Sequence, residues 1–234
     1  MMLIRPKGRR GIPDALIGMG KHIIYSEGTK TEPNYVDSIK KSIANKYNVL
    51  PNEIDIVIVK DKSYSTLGLV KYVEKDIKEK LKSINIDHVW IFFDKDDFEA
   101  DDFSNAISKI ESKNNSKSLS AFNLKTDKNN ITWHACYSNE SFELWYLLYF
   151  NYIDTALSRQ NYIDMLKKNE ELKRIDFNYS KNENNLHEIL TRAGGSITNA
   201  IKNAKRIKEK NGYENPSTNV CEFAEFFKPY LNEL

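Results

Sequence analysis

Short apolar segments alternate with amphipathic segments over the first 150 residues, and this alternation limits the fold of the chain most strongly. Four runs are short and rich in β-branched or aromatic residues, as is typical of buried strands; they span residues 22–25, 54–59, 88–93 and 131–137. Between them, apolar spacing predicts helices from residue 31, over 66–81 and over 103–110. Strands that alternate with helices are typical of a parallel sheet with right-handed crossovers. The sequence therefore predicts a Rossmann-like, open α/β sheet of four mainly parallel strands flanked by helices.

Beyond residue 150 the alternation stops, and the apolar spacing indicates helices. We predict three parts: a flexible basic arm over 1–20, an α/β core over 21–150, and a helical extension over 151–234 that packs on the core. Finer predictions concern four segments. They are a polar loop over 111–120, an apolar helix over 138–150, a helix over 152–174, and a turn over 215–218 that caps the last helix.

Composition narrows the functional classes. The chain has 35 basic and 33 acidic residues, so its net charge of +2 does not by itself indicate a nucleic-acid partner. Cys136 and Cys221 are far apart, which predicts neither a disulfide framework nor a zinc knuckle and suits a reducing cytosol. The sequence shows no apolar secretory signal and no segment long enough to span a membrane. We therefore expect a cytoplasmic protein without a membrane partner.

Acidic residues follow two of the predicted strands. Glu27 comes after the first strand, and Asp94, Asp96 and Asp97 come after the third. Because ligand-binding groups of an open parallel sheet gather beyond the carboxyl ends of its strands, we expect these acids at one edge. Carboxylates suit Mg²⁺ or Mn²⁺, and several of them repel one another unless a cation lies between them. The acidic run alone is more typical of a solvated loop with a helix cap, but together with Glu27 it favours a metal site.

Other charged residues are candidates for substrate contact. Glu143 lies in an apolar helix start, where an unpaired acid is costly to bury. Lys30 and Lys95 adjoin the acids and could hold a phosphate, although surface solvation is an equal alternative. Further basic residues could follow a nucleic-acid backbone, or simply form a solvated face. They are Lys202, Lys205 and Arg206 on a predicted helix, and Arg5, Lys7, Arg9 and Arg10 in the arm.

Two motifs carry a family resemblance. Residues 23–28 (IIYSEG) and 92–96 (FFDKD) resemble the two Toprim motifs of topoisomerases, primases and overcoming-lysogenisation-defect nucleases. A longer pattern from about residue 21 to the end resembles the RloB family; it comprises residues 27–35 (EGTKTEPNY), 93–97 (FDKDD), 138–145 (SNESFELW) and 215–218 (NPST). Glu140 departs from this pattern, since the family usually has proline there. The resemblance implies a Toprim-like nuclease of restriction or abortive-infection loci, often with an ATPase partner.

The resemblance also implies roles for the acids. Glu27 is expected to act as general acid or base, and Asp94 and Asp96 as ligands of Mg²⁺ or Mn²⁺ in cleaving DNA or RNA, which includes tRNA. Three alternatives stay open: a non-catalytic, metal-stabilised docking partner of an ATPase, a haloacid-dehalogenase-type phosphatase, and a nucleotide sensor. A phosphatase of that type normally carries its Asp-x-Asp after the first strand, whereas here it follows the third. The absence of GxGxxG and GxxxxGK[ST] argues against dinucleotide and P-loop chemistry.

Overall fold

A five-stranded, mostly parallel sheet forms the centre of the protein. The structure is a computed structural model, and it describes residues 12–59, 65–95, 100–119 and 131–232. The strands lie in the order β2-β1-β3-β4-β5, and the first four in chain order run parallel. Their bounds are β1 His22–Ser26, β2 Ile56–Val59, β3 His88–Asp94, β4 Thr132–Asn139 and β5 Ser217–Thr218. This agrees with the predicted α/β class.

The fifth strand corrects the prediction of four strands. Ser217 and Thr218, which we predicted as part of a turn, pair antiparallel with Asn139 and Ser138 at the end of β4. A two-residue strand has no periodicity of its own. Its pairing depends on the tertiary position of β4, so the local sequence gives no sign of it.

Ten α-helices surround this sheet within the described ranges. They are α1 Asp14–Ile17, α2 Thr31–Tyr47, α3 Thr66–Lys80, α4 Ala100–Leu119, α5 Glu143–Leu147, α6 Arg159–Lys168, α7 Glu170–Arg174, α8 Leu186–Arg192, α9 Ile197–Asn211 and α10 Val220–Phe227. Short 3₁₀ turns cover Pro51–Glu53 and Lys228–Tyr230. None of the helices described is long and apolar enough to cross a membrane.

Alternate strand residues point to two separate cores. Ile24 and Phe92 pack with α2, α5 and the helices beyond residue 151, whereas Ile23, Ile91 and Phe93 pack with α3 and α4. Successive side chains of a strand face opposite sides of a sheet, so strands covered on both faces are apolar throughout. This explains why β1 and β3 are almost continuously hydrophobic.

Several predicted boundaries differ from the structure. The strand β4 continues to Asn139, and α5 covers only Glu143–Leu147 of the predicted 138–150 helix. Residues 111–119, predicted as loop, extend α4. Residues 152–158 are not helical, since α6 begins at Arg159, where the Ser158 hydroxyl accepts a hydrogen bond from the Asn161 N–H.

The chain beyond residue 151 packs against the sheet and α2. Its strand β5 extends the sheet beside β4, and α8 contacts α2. Its apolar residues Leu190, Ala204 and Phe223 share one cluster with Ile24 of β1. At the other end, residues 1–11 lie outside the described part of the chain. They include Arg5, Lys7, Arg9 and Arg10 of the predicted arm.

Candidate active site

Glu27 and Asp94 meet where β1 and β3 end. In the parallel register Ser26 lies beside Phe92, and the Glu27 N–H donates to the Phe92 carbonyl at 2.9 Å. The Asp94 backbone N–H lies near the Glu27 carboxylate. The Thr66 hydroxyl, at the start of α3, lies 3.5 Å from Glu27 Oε1. The structure thus brings together the two acids that the sequence placed at one sheet edge.

Two further acids face this pair from helix starts. Glu32 lies in the first turn of α2 and is buried. Glu143 is the first residue of α5 and is only 2% exposed. Each of the two interacts electrostatically with Asp94. The site therefore holds four carboxylates, and Glu32 is one that our sequence analysis did not single out.

Gly28 of the Glu-Gly motif allows this close packing. A Cβ added at Gly28 would overlap the Glu32 carboxylate. The turn also accepts a hydrogen bond, since the Ser26 hydroxyl donates to the Gly28 carbonyl. The missing side chain leaves room for the Glu32 carboxylate, which any larger residue would have to displace; this gives a physical reason for the motif.

Burial and mutual repulsion raise the pKa values of these acids. Burial raises the pKa of Glu27 to about 7; the Asp94 N–H opposes this rise, and the neighbouring Glu32 adds to it. Burial, with Glu143 nearby, also raises the pKa of Glu32 to about 7. Burial and then Glu32 raise the pKa of Asp94 well above its usual value. Carboxyls of this kind are stabilised by added positive charge.

Two cationic side chains of the extension supply part of that charge. The Arg159 guanidinium lies 3.3 Å from Asp94 Oδ2, and it also lowers the pKa of Glu27 and Glu32. Lys181 Nζ lies 3.5 Å from Glu143 Oε1, and the Tyr179 hydroxyl donates to the same oxygen at 3.0 Å. These cations come from beyond residue 151, where the sequence shows no motif that points to the site.

Two carboxylate oxygens in the cluster have no hydrogen-bond partner in the described part of the chain. Glu27 Oε2 and Asp94 Oδ1 are buried and have no hydrogen-bond partner among the described residues. Hard, buried carboxylate oxygens suit Mg²⁺ or Mn²⁺. Within the same ranges, no three His, Cys, Asp or Glu side chains are arranged to hold a metal ion on their own. Asp96 and Asp97, the other predicted ligands, lie outside the described residues.

The predicted basic contacts have varied surroundings. Lys30 is exposed just before α2, and Lys95 is half-buried with its N–H bonded to the Ser138 carbonyl at 2.9 Å. On α9, Lys202 is exposed, whereas Lys205 pairs with Glu225 at 2.6 Å. The Arg206 guanidinium stacks over the Tyr152 ring, 4.0 Å from its centre. A phosphate would have to compete with these partners for Lys205 and Arg206.

Comparison with known proteins identifies the family. A family model described as RloB-like protein matches residues 22–226. The chain belongs to the RloB-like family. This confirms the resemblance to the RloB family that the sequence shows. No curated protein and no solved structure matches the chain.

The RloB-like match covers every part of the site. It includes Glu27 and Glu32, Asp94 and Glu143, and both cations of the extension. The four acids therefore lie in elements that the family model spans, and so do Arg159 and Lys181, which the sequence motifs did not indicate.

Proposed function

We propose that this RloB-like chain is a Toprim-type, divalent-metal-dependent nuclease that cleaves phosphodiester bonds of DNA or RNA in anti-phage defence. The observation that carries the proposal is the meeting of Glu27 and Asp94 at adjacent parallel strand ends, each with a buried carboxylate oxygen that lacks a partner among the described residues. A Glu and an Asp on neighbouring strands match the arrangement that the Toprim resemblance implies. The defence role and an ATPase partner rest on the family resemblance.

Asp94, Asp96 and Asp97, together with Glu27, are the residues that would hold Mg²⁺ or Mn²⁺. When bound, such an ion supplies positive charge that polarises a phosphate and favours deprotonation of a nearby water. The carboxylates would gain from this charge, because burial and mutual repulsion hold the pKa values of Glu27 and Asp94 above their usual range.

Glu27 is suited to proton transfer. Burial raises the pKa of Glu27 to about 7 in the protein without a metal ion, so this carboxylate takes up a proton more readily than an exposed one. Hydrolysis forms a bond between the water oxygen and phosphorus and breaks the bond to the leaving sugar oxygen. The ionised Glu27 can take the proton of the attacking water, or its protonated form can give one to the leaving oxygen.

A cleavage assay tests this function. Labelled DNA and total RNA are incubated with the protein and Mg²⁺ or Mn²⁺, with and without chelator and with and without a candidate ATPase partner. We expect cleavage that chelator abolishes and that both Glu27→Ala and Asp94→Ala remove. Cleavage that survives both substitutions would mean that the active site lies elsewhere. No cleavage under any condition, with ATPase binding lost in Asp94→Ala, would instead support a docking role.

A further inference from the structure

Arg159 lies among acids from three different elements. Its guanidinium contacts Asp94 at the end of β3 and interacts electrostatically with Glu27 after β1 and Glu32 on α2. We infer that Arg159 neutralises Asp94 in the substrate-free protein and turns to the substrate phosphate once a divalent cation binds the acids. The inference rests on the proposed nuclease function and assigns the extension a direct part in substrate binding.

The contact with Asp94 has the character of an exchangeable one. Arg159 Nη2 and Asp94 Oδ2 are 3.3 Å apart, which is longer than a charge-assisted hydrogen bond usually is. The Arg159 side chain is 35% exposed, whereas that of Asp94 is 13% exposed. The guanidinium therefore lies at the boundary between the buried acids and solvent.

The backbone of Arg159 is held in place by hydrogen bonds, whereas its long side chain has several rotatable bonds. The Arg159 N–H donates to Glu140 Oε1 at 3.2 Å, and Ser158 caps the same helix start. Glu140 is itself positioned by Asn215, whose side chain lies 3.5 Å away. A fixed helix start places the guanidinium beside the acids, and rotation about its side-chain bonds can redirect it without moving α6.

The charge of the cluster favours such an exchange. When all are ionised, the four acids carry four negative charges, and Arg159 and Lys181 carry two positive ones. A divalent ion bound by the acids supplies positive charge beside Asp94, so it can replace Arg159 in neutralising this carboxylate. A guanidinium presents donors in a planar fork that matches two phosphate oxygens, which makes it well suited to the second role.

Opposite effects on two ligands distinguish this role from a structural one. Mn²⁺ binding is measured by electron paramagnetic resonance, and binding of labelled DNA and RNA oligonucleotides by fluorescence anisotropy with Ca²⁺, a poorer catalytic ion, in place of Mg²⁺. For Arg159→Ala we expect about tenfold tighter Mn²⁺ binding, because a positive charge next to the ligands is lost. We expect roughly tenfold or greater loss of oligonucleotide affinity, because a charged phosphate contact is lost.

Two further variants control the experiment. Arg159→Lys keeps the positive charge but lacks the planar set of guanidinium donors. We therefore expect Mn²⁺ affinity close to wild type and only partial oligonucleotide binding. Arg174→Ala removes an exposed arginine that pairs with Glu171 on α7, and we expect neither affinity to change. Arg159→Lys also keeps the test informative if the alanine variant unfolds.

The outcomes separate this inference from the function on which it rests. If Arg159→Ala lowers the affinity for both Mn²⁺ and the oligonucleotide, Arg159 has a structural role and the inference is wrong. Tighter Mn²⁺ binding without loss of oligonucleotide affinity would contradict the phosphate contact. If the wild type binds Mn²⁺ and cleaves while Arg159→Ala changes neither affinity, only the inference fails. If the wild type binds no Mn²⁺, the proposed function fails and the inference fails with it.

Discussion

The Asp94 backbone N–H lies near the Glu27 carboxylate and favours its ionised form, which couples the two acids of neighbouring strands. An uncharged acceptor on residue 27 can keep this contact. Glu27→Gln keeps an acceptor and a similar shape while removing the charge and the transferable proton. The substitution therefore separates the chemistry of Glu27 from its place in the fold.

We expect Glu27→Gln to lower the cleavage rate about 100-fold or more without lowering the melting temperature. The melting temperature should stay equal or rise, because a buried charge near Glu32 is removed. Rates and thermal melting of both proteins check this, with the exposed Glu79→Gln as control. A variant that melts well below wild type would show that the Glu27 charge stabilises the fold.

Gly28→Ala tests the reason for the Glu-Gly motif. The added Cβ would overlap the Glu32 carboxylate and displace it from its position among the acids of the site. We therefore expect a loss of activity of about 100-fold. Gly18→Ala is a matched control, since a Cβ there would meet its nearest atom at an ordinary 3.7 Å. Equal activity of the two variants would contradict the close packing of Gly28 and Glu32.

His22 predicts a pH dependence of stability. Its Nε2 lies 2.9 Å from the Met19 carbonyl, and its Nδ1 accepts the Trp90 N–H at 3.0 Å, so the folded protein needs the neutral ring. Burial lowers the pKa of His22 to about 4, below its ordinary value of 6.5. Only the unfolded chain takes up this proton between those values. The stabilisation is therefore complete above pH 6.5 and is lost as the pH falls towards 4.

Comparison with His22→Gln isolates this effect. The free energy of unfolding of wild type minus that of the variant should shrink by on the order of 2 kcal/mol between pH 8 and pH 5. Glu27 and Glu32 titrate in a similar range, but they do so in both proteins and cancel in the difference. Urea unfolding at several pH values measures it. A difference that is constant with pH would mean that His22 has an ordinary pKa in the folded protein.

The predicted basic stripe on α9 can be tested by salt dependence. Lys202 is exposed, whereas Lys205 pairs with Glu225. We expect Lys202→Ala to weaken nucleic-acid binding and to lower the slope of log affinity against log salt by about one. Lys205→Ala should have a smaller effect, because its charge is already partly neutralised. If neither substitution alters the slope, α9 does not contact the phosphate backbone.

Elements with a strong local signal were predictable from sequence. The strands β1 and β3 are short apolar runs, and both lie where the sequence predicts strands. Residues 141–149 are almost uniformly buried, so they have no periodicity that distinguishes a short helix from a longer one. For that reason the start of α5 and the end of β4 were predicted wrongly.

The candidate site was predictable from strand ends and, for Glu143, from an acid in an apolar helix start. Glu27 and Asp94 are adjacent because parallel strands bring their carboxyl ends together. Glu32 had a weaker signal as an acid in an otherwise buried first turn of α2. Arg159 and Lys181 reach the site through the packing of α6 and the following segments, and no local spacing encodes that packing.

The most direct test of the account compares Asp94→Asn with Asp37→Asn in single-turnover cleavage of labelled DNA and RNA with Mn²⁺. Asp37 is a matched aspartate, half-exposed on α2 and paired with Lys41 at 2.9 Å, away from the acids of the site. We predict that Asp94→Asn loses metal-dependent cleavage by about 100-fold or more while Asp37→Asn cleaves like the wild type. Equal cleavage by Asp94→Asn and wild type would contradict the assignment of the active site to Glu27 and Asp94.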